Sequence, residues 1–348
     1  MNYKRLVVGV LTGLLAASLL GCGGSGDKKA AAPAAKAPAK GGVVVLQVAC
    51  ENNASEPVGQ AWEKAKEIIK KKSGGKMEIK TFPDSQLGDK NSLIDSMLMG
   101  ENVCTLADGA FYADYGVPDF GIVFGPFLFD NWDQCWKLTK SDWYKDQSAK
   151  LEKKGLKLIA SNWIYGERHT LTTKPVNKVD DLKGMKIRVP GNKIQSIGFD
   201  VLGATSTGMP LGDVYQALQT KTIDGAENPL ATLYGRKLQE VAKYLILDGH
   251  VKNFTTWVVS DKWFKSLTPE QQKWLVETAE EAGLENNKIQ QSTEKDYLEK
   301  MKKEGVTVVN PSAEVLAGFK AKAQAFYTHG KDFGWSDGLY DKVKKAMQ

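Results

Sequence analysis

Apolar and polar residues follow two different rhythms through the first third of the chain. Residues 43–49 (VVVLQVA) are a nearly continuous apolar run, the pattern of a buried strand. Residues 56–72 put Trp62, Ala65, Ile68 and Ile69 on one face at helical spacing, and Gly74 and Gly75 end that pattern. Residues 76–82 read as a second strand. A helix then runs through Leu93, Met97 and Leu98 to Gly100, and residues 103–107 read as a third strand. This βαβαβ order predicts a parallel sheet covered by helices.

The pattern continues less regularly. Residues 108–115 follow the third strand and are rich in aromatic and acidic groups, so Asp108, Phe111 and Tyr112 are placed where a ligand is met. The phenylalanines of residues 118–129 read as core. Residues 156–165 form a strand that runs through Gly166-Glu167-Arg168-His169 into a threonine-rich strand ending at Thr173. In residues 185–189, Met185, Ile187 and Val189 alternate with Lys186 and Arg188 until Pro190 and Gly191 break the strand. A guanidinium at a strand end offers a planar fork that matches a carboxylate; the alternative is that Lys186 and Arg188 line a solvated face. Residues 191–202 read as a helix, followed by a strand near Thr205. The Met209-Pro210-Leu211 loop then leads into the helix VYQALQT. Asp224-Gly225 makes a turn. Asn228 precedes Pro229 and is held extended, which presents its amide to a ligand, although its position also suits a helix N-cap. Residues 253–260 read as an aromatic strand holding Phe254 and Trp257. Thr268-Pro269-Glu270-Gln271 has the form of a capping box, and helical pattern continues to about Lys303 as one long helix or as two broken near Gly283. A short strand at 306–309 and amphipathic helix with a Lys-rich tail close the chain.

Composition narrows the function classes. The chain has 348 residues, 42% apolar and 25% charged, enough for two domains and a large core. Two units of the +6 net charge sit on Lys4 and Arg5, and charges of both signs are interspersed, which argues against a nucleic-acid surface. Residues 6–20 are apolar behind that basic pair, as in a signal peptide, and Leu19-Leu20-Gly21-Cys22 resembles a bacterial lipobox. The expected mature chain begins at a lipidated Cys22. Residues 22–42 form a Gly/Ala/Pro/Lys tether that reaches roughly 25 Å. No CxxC or Cys/His zinc spacing is present. Cys50 and Cys104 read as small buried residues, and a disulfide among Cys50, Cys104 and Cys135 stays open. The three histidines, His169, His250 and His329, fall in no HExxH, GxSxG or P-loop pattern. An enzyme would need Asp108 and Glu167 as an acid–base pair entering one cleft.

KGMKIRVPG, VYQALQT, DGAENPL and the later aromatic strand, in that order and spacing, together with SGGKMEIKTFPDSQLG, resemble the DctP family. These are extracytoplasmic solute-binding proteins of tripartite ATP-independent periplasmic (TRAP) transporters. The resemblance covers residue 43 to the C-terminus. It implies a two-lobed α/β periplasmic binding protein fold with hinge strands and a long domain-spanning helix. Residues 1–21 are then signal peptide and 22–42 the lipidated tether. Lobe I takes 43–165 plus 254–290, and lobe II takes 166–253 plus 291–348. It also implies a small organic acid held by Arg188, with Arg168 and Asn228 as further contacts. Asp108 lies nearby, and Trp163, Tyr165, Phe111, Tyr112 and Trp257 serve as walls. Glu167, beside Arg168, turns away by strand alternation. Members that bind sialic acid often carry an aromatic near Leu211, so Leu211 weighs against a sugar-acid ligand. The implied partners are membrane permease subunits and, through the anchor, the membrane, with no cofactor, metal or turnover. The competing readings are a secreted enzyme acting on a small carboxylated substrate and a binding subunit of another importer or a receptor.

Overall fold

Two strands of 17 residues each, β4 (Leu156–Thr172) and β8 (Tyr244–Ser260), run antiparallel through the middle of the molecule and join two half-sheets. This computed structural model describes residues 42–348; the signal-peptide, lipobox and most of the tether expectations fall outside the described residues. On one side lie β1 (Val44–Ala49), β2 (Met77–Phe82) and β3 (Val103–Ala107), with β1 parallel to both neighbours as the βαβαβ pattern predicts. On the other lie β5 (Lys186–Val189), β6 (Thr205–Gly208) and β7 (Gly225–Pro229), with β5 parallel to both. The sheet order is β2-β1-β3-β8-β4-β7-β5-β6, and β9 (Thr307–Val309) pairs with the start of β8. The C-terminal part of β8 pairs with β3, and the C-terminal part of β4 pairs with β7. Each long strand therefore belongs to both halves.

Where the two strands cross, their ladder is interrupted by register shifts around Ile164/Gly166 and Arg168/Thr170. The helix Pro269–Lys303, 35 residues without a break, supplies the missing partners. Asn286 donates to Ile164 O (2.8 Å), Asn287 accepts from Ile164 N (2.7 Å), and Gln290 donates to Tyr165 O (2.7 Å). Buried backbone groups left out of a ladder need such partners, so side-chain amides of the helix fasten the crossing. The capping box forms as predicted: Thr268 accepts from Gln271 N, and the Gln271 side chain accepts from Thr268 N. Gly283 does not break the helix. A Cβ there would lie 2.6 Å from both Asn162 Oδ1 and Trp163 Nε1, so glycine lets β4 approach closely.

Hydrophobic clusters cover both faces of each half-sheet. Leu339, Val343 and Met347 of the C-terminal segment pack into the cluster that holds Leu93, Phe111 and Leu138. The last helix, Leu339–Ala346, thus lies against the first half, whereas the sequence boundaries placed residues 291–348 in the second. Cys50, Cys104 and Cys135 are buried and free, which removes the disulfide alternative. Among the described residues, no helix is long and apolar enough to cross a membrane.

Candidate ligand-binding site

A small cavity opens where the C-terminal ends of the parallel strands from both halves face each other, the place where open α/β sheets receive ligands. The first half contributes Glu51 just past β1, Lys90 at the start of the helix Lys90–Met99, and Asp108 and Phe111 past β3. The crossing strands contribute Tyr165, Arg168, Asn253 and Thr255. The second half contributes Arg188 and Pro190 at the end of β5, Gln195, Leu211, and Asn228 on β7.

Arg188 is 2% exposed, so the solvated-face alternative does not hold; Lys186 alone points to water. Its Nε and Nη2 both donate to Met209 O, at 3.0 and 2.7 Å. No carboxylate forms an ion pair with it among the described residues. Burial pushes its pKa down to about 10, against the opposing pull of Glu51 and Glu227. It is still a cation at neutral pH, with its Nη1 edge free of protein hydrogen bonds.

Arg168 is arranged differently. Its Nε and Nη2 grip both carboxylate oxygens of Glu227 (Nη2 to Oε1, 2.6 Å), and its Nη1 donates to Asn253 Oδ1 (3.0 Å). The fork expected to meet a ligand is occupied by Glu227, and only the remainder of the group borders the cavity. Burial would raise the Glu227 carboxyl, but Arg168 and then His250 outweigh it and hold it at about 2. His250 has Asp248 at one ring nitrogen and Glu227 at the other, each at 3.1 Å. Burial alone would lower its pKa, yet the two carboxylates bring it to about 9.

Asn228 lies within β7 and does not cap the next helix, whose N-cap position is Pro229. Its Oδ1 is buried without a partner, as is Gln195 Oε1. Asp108 caps the helix Gly109–Asp114 by accepting from Ala110 N (3.0 Å). Burial raises its pKa, opposed by Lys90 and Arg168. The Lys90 ammonium sits 4.8 Å from the Phe111 ring centre and 3.9 Å from Glu51 Oε2. Glu51 accepts from the Leu211 backbone N–H (3.2 Å), a bond that spans the cleft.

Three expected wall residues lie elsewhere. The Trp163 indole donates to Ala279 O (2.8 Å), Trp257 packs between Trp163 and Trp62, and the Tyr112 hydroxyl bonds Thr256 (2.6 Å). All three are core. Glu167 pairs with Lys252 (2.6 Å) and does not line the cavity, so Asp108 and Glu167 do not meet there. Glu51, Lys90, Pro190, Gln195, Asn253 and Thr255 line the cavity without having been singled out. For Glu51 a signal existed, since it lies two residues past the first apolar strand.

Residues 48–331 match the family described as bacterial extracellular solute-binding protein, family 7 (DctP). The chain belongs to this family. The 2,3-diketo-L-gulonate-binding periplasmic protein YiaO of Escherichia coli is 31% identical over 265 residues, covering 76% of this chain and 80% of that protein. A TRAP periplasmic solute-binding protein from Ochrobacterium anthropi, solved with bound L-fuconate, is 40% identical with a TM-score of 0.84, covering 88% of this chain and all of that one. One from Actinobacillus succinogenes, solved with L-galactonate, is 37% identical with a TM-score of 0.83, covering 87% and 99%. The DctP-family protein described here therefore has the two-lobed TRAP binding-protein fold and serves a TRAP transporter as its extracytoplasmic solute-binding component. Proteins of this kind work with membrane permeases.

Proposed function

We propose that this DctP-family protein holds a small sugar acid of the aldonate type between its lobes and hands it to a permease, without chemical turnover. The observation that carries the reading is Arg188, a buried cation without an ion-paired carboxylate, facing a cavity lined by amides, hydroxyls and the charged groups of Glu51, Asp108, Lys90 and Arg168. A ligand carboxylate would complete its fork and would supply the counter-charge that burial demands. The ligands of the two structures with 40% and 37% identity, L-fuconate and L-galactonate, support the class. The sequence expectation drawn from Leu211 pointed away from sugar acids. Leu211 puts an aliphatic side chain rather than a ring at the cavity, and its backbone N–H is taken by Glu51.

In this reading lobe I is 43–165 plus 254–290 and lobe II is 166–253 plus 291–338, with the final helix returning to lobe I. Contacts from both sides favour the closed form, as differential affinity requires. Cys22 carries the lipid anchor, and the tether lets the lobes reach the permease. Replacing Cys22 with Ser should release the protein from membranes, and retention there would contradict the anchor.

Fluorescence titration with aldonates, with product analysis on the same samples, tests the function. Saturable binding with the acid recovered unchanged is expected. Conversion of the acid, or no response to any acid, would overturn it.

A further inference from the structure

Three consecutive residues at the start of the helix Lys193–Asp200 meet three different neighbours. Lys193 donates to Asp332 O, Ile194 packs toward the first half, and Gln195 lines the ligand cavity. Ile194 is 2% exposed and shares an apolar cluster with Ala110 and Phe124 of the first half and with Phe326 and Phe333. The segment that carries these last two rings is pinned to the first half. Tyr327 donates to Pro126 O (2.9 Å), and Ser336 donates to Asp119 through its backbone N–H (2.7 Å) and its hydroxyl (2.8 Å). Gly121, in the 3₁₀ turn Pro118–Phe124, forms the floor of this contact. A Cβ on Gly121 would lie 2.5 Å from Ile194 Cδ1, 2.8 Å from Ile194 Cγ1 and 3.1 Å from Ala113 Cβ. The φ of Gly121 lies outside the left-handed region, so the backbone does not require glycine there. The approach of Ile194 does.

We propose that Gly121 and Ile194 are the closure stop of the cleft, positioning residues that set how closely the two halves approach and touch no ligand themselves. Ile194 of the second half comes to rest on Gly121 of the first, and the adjacent Gln195 then stands in the cavity wall. Close-packed contacts resist even one added methyl group. A side chain at position 121 therefore halts the second half short of this seat. The ligand then meets one side of the cavity less fully, and the closed form loses its advantage. The inference rests on the acid-binding reading above and goes beyond it, from what the cleft holds to what fixes its closed width.

The test is a double-mutant cycle in the mature chain made soluble by Cys22→Ser, with Gly121→Ala, Ile194→Ala and the two combined. Calorimetry with galactonate reads affinity, small-angle scattering reads the ligand-induced fall in radius of gyration, and thermal unfolding reads the ligand-free fold. Gly121→Ala should weaken galactonate binding ~10-fold or more, the scale of one methyl forced into a packed contact. It should also shrink the ligand-induced compaction while leaving the ligand-free midpoint in place. In the Ile194→Ala background the same methyl meets open space and should change affinity by less than ~3-fold. Wild-type affinity in Gly121→Ala, or an equal loss in both backgrounds, overturns the inference. So does a Gly121→Ala chain whose ligand-free midpoint falls or that fails to fold, because the contact then belongs to the fold and not to closure. Each of these results leaves the acid reading standing. No binding of galactonate or any other aldonate by the parent chain sinks the acid reading itself.

Discussion

Arg168 and Arg188 look alike in sequence, each a lone arginine in a strand, yet their surroundings give them opposite tasks. Arg168 is locked to Glu227 and Asn253, with rings of Phe124 and Tyr165 beside it. Removing its partner while keeping shape exposes the cost of a buried, unpaired guanidinium. Glu227→Gln is expected to destabilise the fold by ~3 kcal/mol, read from urea unfolding; an unchanged midpoint would contradict the pairing. This difference was not legible in the sequence, because Glu227 lies 59 residues from Arg168 and meets it only through the β4–β7 register. Arg188 was legible, since strand alternation and the Pro190-Gly191 break put it at a strand end. The aromatic wall was misread for a simple reason. Trp163 and Trp257 are as apolar as a pocket wall, and only their packing under the helix Pro269–Lys303 shows them to be core.

At the scale of elements, the long helix and the crossing strands stand or fall together. The helix was readable from its capping box and sustained periodicity, and Gly283 was the one point of ambiguity. Gly283→Ala should cost ~1–3 kcal/mol, because a methyl there overpacks Asn162 and Trp163. Thermal unfolding checks this, and an unaltered or raised midpoint would show that β4 can yield. The first half of β8 was not readable. Asp248-Gly249 interrupts the apolar run in the manner of a turn, with Gly249 at φ +55°, and the strand continues through it. The strand therefore begins at Tyr244, nine residues before the aromatic stretch that announced it.

Across the whole molecule, a second polar seam joins the two halves beside the hinge. Glu56 from the first half accepts hydrogen bonds from Asn52, from Asn53 N, and from Thr232 of the second (2.9 Å), and Asn53 donates to Gly235 O. Burial raises the Glu56 pKa to about 7, against its hydrogen bonds and Arg236. A carboxyl raised in the folded state favours the protonated form. Its stabilising share is complete below about 4.5 and is lost as pH rises through about 7. His250, raised to about 9, loses its share between about 6.5 and 9 as pH rises. Stability should therefore decline from pH 5 to pH 9, and Glu56→Gln should flatten the first part of that decline. A decline unchanged by this substitution would remove Glu56 as its source. The account depends most on the acid that completes Arg188. Titration calorimetry of wild type and Arg188→Ala with galactonate tests it directly. The expected result is one acid bound per wild-type chain and a loss of ~2–4 kcal/mol in the variant, with the unfolding midpoint nearly unmoved. Equal affinity in the two proteins would contradict the account.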